Sequence, residues 1–221
     1  MTDIKLFIDP TYRRVDTGDG GIRRVSEAQW KYLPQFGVTP VHDPDEAEII
    51  ANHGTSSTER PGVPLVHHGH GLYWDRYQWD VWAHETNRQV VERMARAVAH
   101  TVPSRWVAEA VTRGMLVYPE VIYHGVDATE WTPGASKGYV LWNKARRDWV
   151  SDPADMNAVA RLLPGVTFLS TFGASAPNVT IAGQMPIRAM KPVVRGAGVY
   201  LATARETFGI GTLEALASGV P

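Results

Sequence analysis

The 221-residue chain has no cysteine, which excludes disulfides and thiolate-held metals and makes a reducing compartment natural. It also lacks a dominant charge: 22 Lys and Arg stand against 23 Asp and Glu, a formal net charge of -1. No global field therefore favours nucleic acid or an anionic membrane. No stretch approaches the length of a membrane span. The opening Met1-Thr-Asp-Ile-Lys-Leu-Phe-Ile-Asp9 puts charges where a signal peptide needs an apolar run. On these grounds the cytoplasm is the expected setting, with loose association at a membrane surface left open. Internal repeats and low-complexity segments are absent too. What is present is a 44% apolar composition, enough for one large domain or two small ones.

The most informative stretch is the last, Arg205 to Pro221, reading R-E-T-F-G-I-G-T-L-E-A-L-A-S-G-V-P. It follows a short apolar run, Val199 to Ala202, that reads as a buried strand. Gly209 and Gly211 permit a tight turn, Thr212 to Ser218 reads as the opening of a helix, and Gly219 reads as its terminator. Strand, glycine turn and helix start together form an anion site, because the amides of a first helical turn and the positive end of the helix dipole point over the turn. Two carboxylates frame it, Glu206 and Glu214. One carboxylate can accept hydrogen bonds from two neighbouring hydroxyls, as acidic residues do for ribose in dinucleotide folds. The ligand implied has phosphates in the middle and polyols at both ends, which describes a nucleotide sugar. A dinucleotide G-x-G-x-x-G turn fails here at its third glycine, where the chain has Glu214.

The spacing Glu206-x7-Glu214, with Phe208-Gly209 inside, resembles the E-x7-E motif of retaining GT-B glycosyltransferases (glycosyltransferase family four, glycosyl transferases group 1). The resemblance implies that Glu206 contacts donor-sugar hydroxyls, that Phe208, Gly209, Ile210 and Gly211 present backbone to the donor, and that Glu214 holds the ribose. A second match is Val121-Ile-Tyr-His-Gly-Val-Asp127 followed by Trp131-Thr-Pro-Gly134, similar to the segment where the family's first domain hands over to its second. Domains of 1–130 and 131–221 are expected on that basis.

Taken in order, Lys5 to Asp9 reads as a strand, followed by the glycine-rich Asp16 to Gly21. The pattern Ile22, Val25, Gln29, Tyr32, Leu33, Phe36 is mostly helical and ends at Gly37. By resemblance Gly20 and Gly21 bring amides to the donor phosphates. Val38 to Val41 and Ala47 to Ala51 read as strands, the latter passing into Asn52-His53-Gly54. Pro64 to Trp74 is a strand running into His67, His68 and His70. Adjacent histidines on a strand point to opposite faces and no carboxylate falls among them, so a metal is not expected. By resemblance His70 lies against the donor sugar, with His68 as the fallback, and a neutral imidazole there would donate to a sugar hydroxyl or leaving oxygen. A histidine satisfied by local backbone is the alternative.

Tyr73, Trp74, Tyr77, Trp79 and Trp82 form either a sugar-stacking platform or ordinary core. A helix is expected from Ala83, a strand at His100 to Ser104, and a helix from Arg105 to Arg113 with Ser104 as N-cap and Gly114 as stop. Beyond the linker the pattern restarts with a strand at Gly138 to Trp142. Lys144 and Arg147 follow it, the positions from which the resemblance implies a grip on the donor diphosphate. A helix at Asp155 to Leu163, strands at Val166 to Leu169 and Val179 to Ala182, and a helix at Pro186 to Arg195 complete the pattern. By resemblance the backbone just beyond Gly183 lines the base pocket, which makes Gln184 and Met185 candidates for it.

Two rounds of alternating strands and helices argue an α/β protein of two Rossmann-like parallel-sheet domains facing a cleft, and the resemblance implies that the fold is of GT-B type. The family continues past Gly-Val-Pro, so the second domain is expected to be incomplete, with an unprotected sheet edge that favours low stability or self-association. The expected activity is transfer of a sugar from a nucleoside-diphosphate sugar to an acceptor hydroxyl with retention. His70, Glu206 and Lys144 would be the catalytic residues, and Gly20, Gly21, Arg147, Met185, Phe208, Gly209, Ile210, Gly211 and Glu214 the donor-binding ones. No metal, cofactor or nucleic acid is expected, and sugar, lipid and protein acceptors stay open. The rivals are a non-catalytic nucleotide-sugar binding module and a nucleotide-sugar epimerase or phosphorylase on the same fold.

Overall fold

Short apolar runs punctuated by Gly, Pro and Asp form parallel strands, and the amphipathic segments between them form the helices that cover both sheet faces. The computed structural model describes residues 3–73, 81–146, 148–203 and 206–221. The chain divides into two units, one of Met1–Arg13 and Ile22–His124, the other of Arg14–Gly21 and Gly125–Pro221.

The first unit holds β1 (Ile4–Asp9), β2 (Val38–Val41), β3 (Ile49–His53), β4 (Leu65–His68), β5 (Ala99–Val102) and β6 (Glu120–Val121). Their order is β2-β1-β3-β4-β5-β6 and every pairing is parallel. Strand periodicity sorts the core onto two faces. Leu6, Ile8 and Ala51 pack with Trp30 of α1 (Gly21–Tyr32), while Phe7, Val41, Ile50 and Leu65 pack on the other side. A third cluster joins Val90 and Met94 of α2 (Val81–Arg96) to Val102 and to Val107 and Val111 of α3 (Arg105–Met115).

Three sequence expectations are corrected here. β3 starts two residues later than expected, because Pro44–Glu46 forms a 3-10 turn with Asp43 as its N-cap; Asn52 and His53 thereby become strand residues. Gly114 does not stop α3. The helix runs to Met115, and Leu116 adopts the left-handed conformation (φ 55°) with its N–H donating to Thr112 O at 3.0 Å. The Thr112 hydroxyl also donates to Val117 O at 3.0 Å, so this helix end is closed by threonine rather than glycine. Ser104 occupies the N-cap position, but its side chain makes no capping bond.

The second unit holds β7 (Tyr139–Trp142), β8 (Phe168–Ser170), β9 (Val179–Ile181) and β10 (Ala197–Tyr200), parallel, in the order β10-β7-β8-β9. Its helices are α4 (Ala154–Leu162), α5 (Ile187–Gly196) and α6 (Ile210–Ala217). Residues of β7 alternate between two cores. Leu141 joins Trp131, Met190, Val194, Tyr200 and Ala215, whereas Trp142 joins Met156, Ala160, Phe168 and Val179. Among the described residues, no helix is long and apolar enough to cross a membrane.

Candidate functional site

In a parallel sheet the carboxyl ends of all strands lie along one edge, where α/β folds keep their chemistry. In the second unit, β7 delivers Asn143 and Lys144 to that edge, both buried. Thr171, just past β8, fixes Lys144 twice: its hydroxyl accepts from the Lys144 N–H and donates to the Lys144 carbonyl, each at 2.9 Å. The Lys144 ammonium, with 6% of its side chain exposed, is ion-paired to Oε1 of Glu206, whose side chain is 39% exposed. Thr171 thus fixes the backbone that carries the buried cation, and the cation's partner is partly exposed to solvent.

Three residues further on, Gly209 takes φ 77° and ψ 58° and opens α6. That left-handed backbone is open to glycine at little cost. Gly211 serves a different purpose from the one its sequence position suggested. It is an ordinary helical residue in a helix that begins two positions earlier than expected, and a Cβ there would lie 2.6 Å from the Tyr200 hydroxyl. Its smallness lets α6 press onto β10, while Tyr200 Oη donates to Asn143 O at 3.3 Å. Because α6 begins at Ile210, Glu214 falls in the second turn and not the first, with only 1% of its surface exposed.

The glycine-rich loop belongs to this same unit. Asp16 shapes it: Oδ1 accepts from Gly18 N at 2.8 Å and Oδ2 accepts from Ile187 N, at the start of α5, at 2.6 Å. The Gln184 amide donates to Gly18 O at 2.7 Å and to Ala145 O at 2.8 Å. A Cβ on Gly18 would meet Met185 O at 2.8 Å, and one on Gly20 would meet Ala145 Cβ at 3.2 Å. A Cβ on Gly21 would make ordinary van der Waals contact with the Ile210 side chain. The second unit therefore gathers Gly20, Gly21, Lys144, Met185, Glu206, Phe208, Gly209, Ile210, Gly211 and Glu214. Arg147 lies outside the described residues, as do Trp74, Tyr77 and Trp79. Gln184 acts as a clip between loops.

His70 stands in the first unit, two residues past β4, in a stack of imidazoles at the strand ends. Register places His53 beside His68. The His53 ring stacks on His68 at 4.6 Å and on His70 at 5.2 Å, and His70 stacks on His124 at 5.6 Å. His53 Nδ1 faces His70 Nε2 at 2.9 Å, and His53 Nε2 faces Gln29 Oε1 at 2.8 Å. Burial, then the surrounding imidazoles, holds His70 at about 3 and His68 at about 4, and pushes His53 lower as well. Near neutral pH this group is uncharged. It can orient polar ligands, but it supplies no cation.

Sequence reading singled out His67, His68 and His70 and missed His53, Gln29 and His124. Asn52-His53 ending an apolar run was the available signal. His67 is a structural residue: its Nε2 donates to Gly54 O at 2.9 Å. Among the described residues, no group of three or more His, Asp or Glu is placed to hold a metal ion.

No protein-family model and no curated protein matches the sequence. Among solved structures, TarM superposes with a TM-score of 0.63 over 86% of this chain and 42% of its own, at 14% identity. A point mutant of S. aureus TarM, in complex with fondaparinux, alpha-GlcNAc-glycerol and UDP, gives 0.62 over 86% and 43%, at 15% identity. An alpha-glucosyltransferase in complex with UDP-glucose and DNA containing an abasic site gives 0.60 over 98% and 78%, at 12% identity. The chain has the GT-B fold. It spans less than half the length of TarM. On a GT-B frame, the parallel strands of both units lead into polar residues with defined partners, imidazoles around the buried His53 in the first and the pair of buried Lys144 with Glu206 in the second.

Proposed function

We propose that the chain carries out transfer of a sugar from a nucleoside-diphosphate sugar to an acceptor hydroxyl, with retention at the anomeric carbon. The observation that carries this reading is the assembly in the second unit: a buried Lys144 paired to Glu206, the Gly209 turn opening α6, buried Glu214, and the loop of Gly20 and Gly21. It supplies a cation and helix-start amides for a diphosphate, together with carboxylates for hydroxyls. In the proposed mechanism the diphosphate departs, its growing charge stabilised by Lys144, Arg147 and the two glycine turns. The acceptor hydroxyl attacks from the same face and gives its proton to the departing diphosphate oxygen, while Glu206 orients the sugar and Glu214 holds the ribose. The UDP and UDP-glucose held in two of the similar structures make uridine donors the first to test.

The test is a thermal-shift panel of UDP, GDP, ADP and their sugars on the wild type and on Glu214→Gln. Stabilisation by one nucleotide family is expected. Its Kd should weaken about 10- to 150-fold in the variant, the equivalent of one charged hydrogen bond of about 1.5–3 kcal/mol. A chain that responds to none of the ligands overturns the donor site. Proton NMR of the product then reads the anomer. Binding without transfer marks a binding module, and conversion of the donor without acceptor marks an epimerase.

A further inference from the structure

The imidazole stack of the first unit carries a polarity. Gln29 Oε1 can only accept, so the His53 Nε2 that faces it at 2.8 Å bears the proton. A neutral imidazole has one N–H, which leaves a bare lone pair on His53 Nδ1. The His70 Nε2 facing that lone pair at 2.9 Å must then be the donor. The rings packed on His70 are His53 and His124, and His68 also stacks on His53. A proton added to His70 would set a cation against the buried His53 ring and beside the His124 ring, so His70 too carries a single N–H and its Nδ1 is bare.

We propose that Gln29 and His53 are positioning residues that lock His70 as its Nε2-protonated tautomer, so that His70 offers Nδ1 as an acceptor to a substrate hydroxyl. This reverses the donor role expected from the sequence. Its substrate half rests on the glycosyl-transfer reading, whereas its tautomer half does not. A backbone-satisfied histidine would need neither partner, and His67 on β4 shows that simpler arrangement, with Gly54 O fixing its tautomer directly. Gln29 lies on α1, so the helix that follows the first strand sets the hydrogen-bonding sense of a ring 41 positions further along the chain, through one intermediate imidazole.

The experiment is long-range proton–nitrogen NMR on the full chain labelled at histidine nitrogen, at neutral pH without ligand. His53 and His70 should both show a protonated Nε2 and a pyridine-type Nδ1. Gln29→Glu, which keeps an acceptor oxygen, should preserve that pattern. Gln29→Met should give mixed tautomers at both rings. A wild-type His70 protonated on Nδ1 overturns the proposal, as does an unchanged pattern in Gln29→Met. Should Gln29→Met fail to fold, the wild type and Gln29→Glu decide: loss of the Nε2-protonated form in Gln29→Glu overturns the lock. Titration with whichever donor stabilises the chain should then move the Nδ1 resonance of His70 while Nε2 stays protonated. A donor that binds and leaves Nδ1 unmoved removes the acceptor role and leaves glycosyl transfer standing.

Discussion

Mild acid should destabilise this protein well before its carboxylates titrate. The perturbation is a fall from about pH 7.5 to about pH 5.5. His53, His68 and His70 are all depressed from an ordinary value of 6.5, first by burial and then by neighbouring imidazoles; His68 sits at about 4 and His70 at about 3. His67, His100 and His124 are lowered in the same direction. When the folded pKa is the lower one, the unfolded chain takes up the proton first. Stability is then full above 6.5 and declines as pH falls, until the folded groups protonate near 3 to 4. At about pH 5.5, one unit below the unfolded value, each such histidine costs about 1.4 kcal/mol. The three strongest together remove about 4 kcal/mol from a domain whose total is typically about 5–15 kcal/mol.

The assay is proton uptake on urea unfolding at about pH 5.5, which requires no two-state assumption for a chain of two units. About three protons or more should be absorbed per chain, since the other histidines add to the count and most carboxylates are already ionised in both states. His53→Gln should lower the uptake by about one proton. A stability that stays flat from neutral pH to about 5.5, or an uptake below about one proton, would refute the buried neutral cluster.

Gly211→Ala should destabilise the chain by about 1–3 kcal/mol, because the new methyl overlaps the Tyr200 hydroxyl. Pairing it with Tyr200→Phe, which removes the clashing oxygen, should recover much of the melting temperature; no recovery would mean that α6 does not press on β10 as described. Gly209→Ala, at φ 77°, should cost about 1–2 kcal/mol without rescue by Tyr200→Phe. Lys144→Met should change stability little, since its partner Glu206 is partly solvated, yet abolish the thermal shift given by the diphosphate ligand. An unchanged shift in Lys144→Met would remove Lys144 from the diphosphate contacts.

The strands were readable because the core code is local. Leu6, Phe7 and Ile8 alternate faces within one run, and Val38–Val41 is bounded by Gly37 before it and Asp43 after it. Glycine positions were readable too, but their reasons were not. Gly209 needs its backbone conformation, a property of its own residue, while Gly211 is set by a tyrosine on the preceding strand. Gly114 looked like a helix stop and is not one, because Thr112 closes the helix with bonds that depend on where Leu116 and Val117 turn. The imidazole network lies one step further from the sequence. His53 meets His68 only because β3 and β4 pair in one particular register, and a slip of one residue would turn His53 to the opposite face. Gln29 reaches His53 only once α1 has packed against that sheet. Residue type and spacing could therefore nominate His70 for chemistry. Which of its two nitrogens carries the proton is a property of three segments brought together.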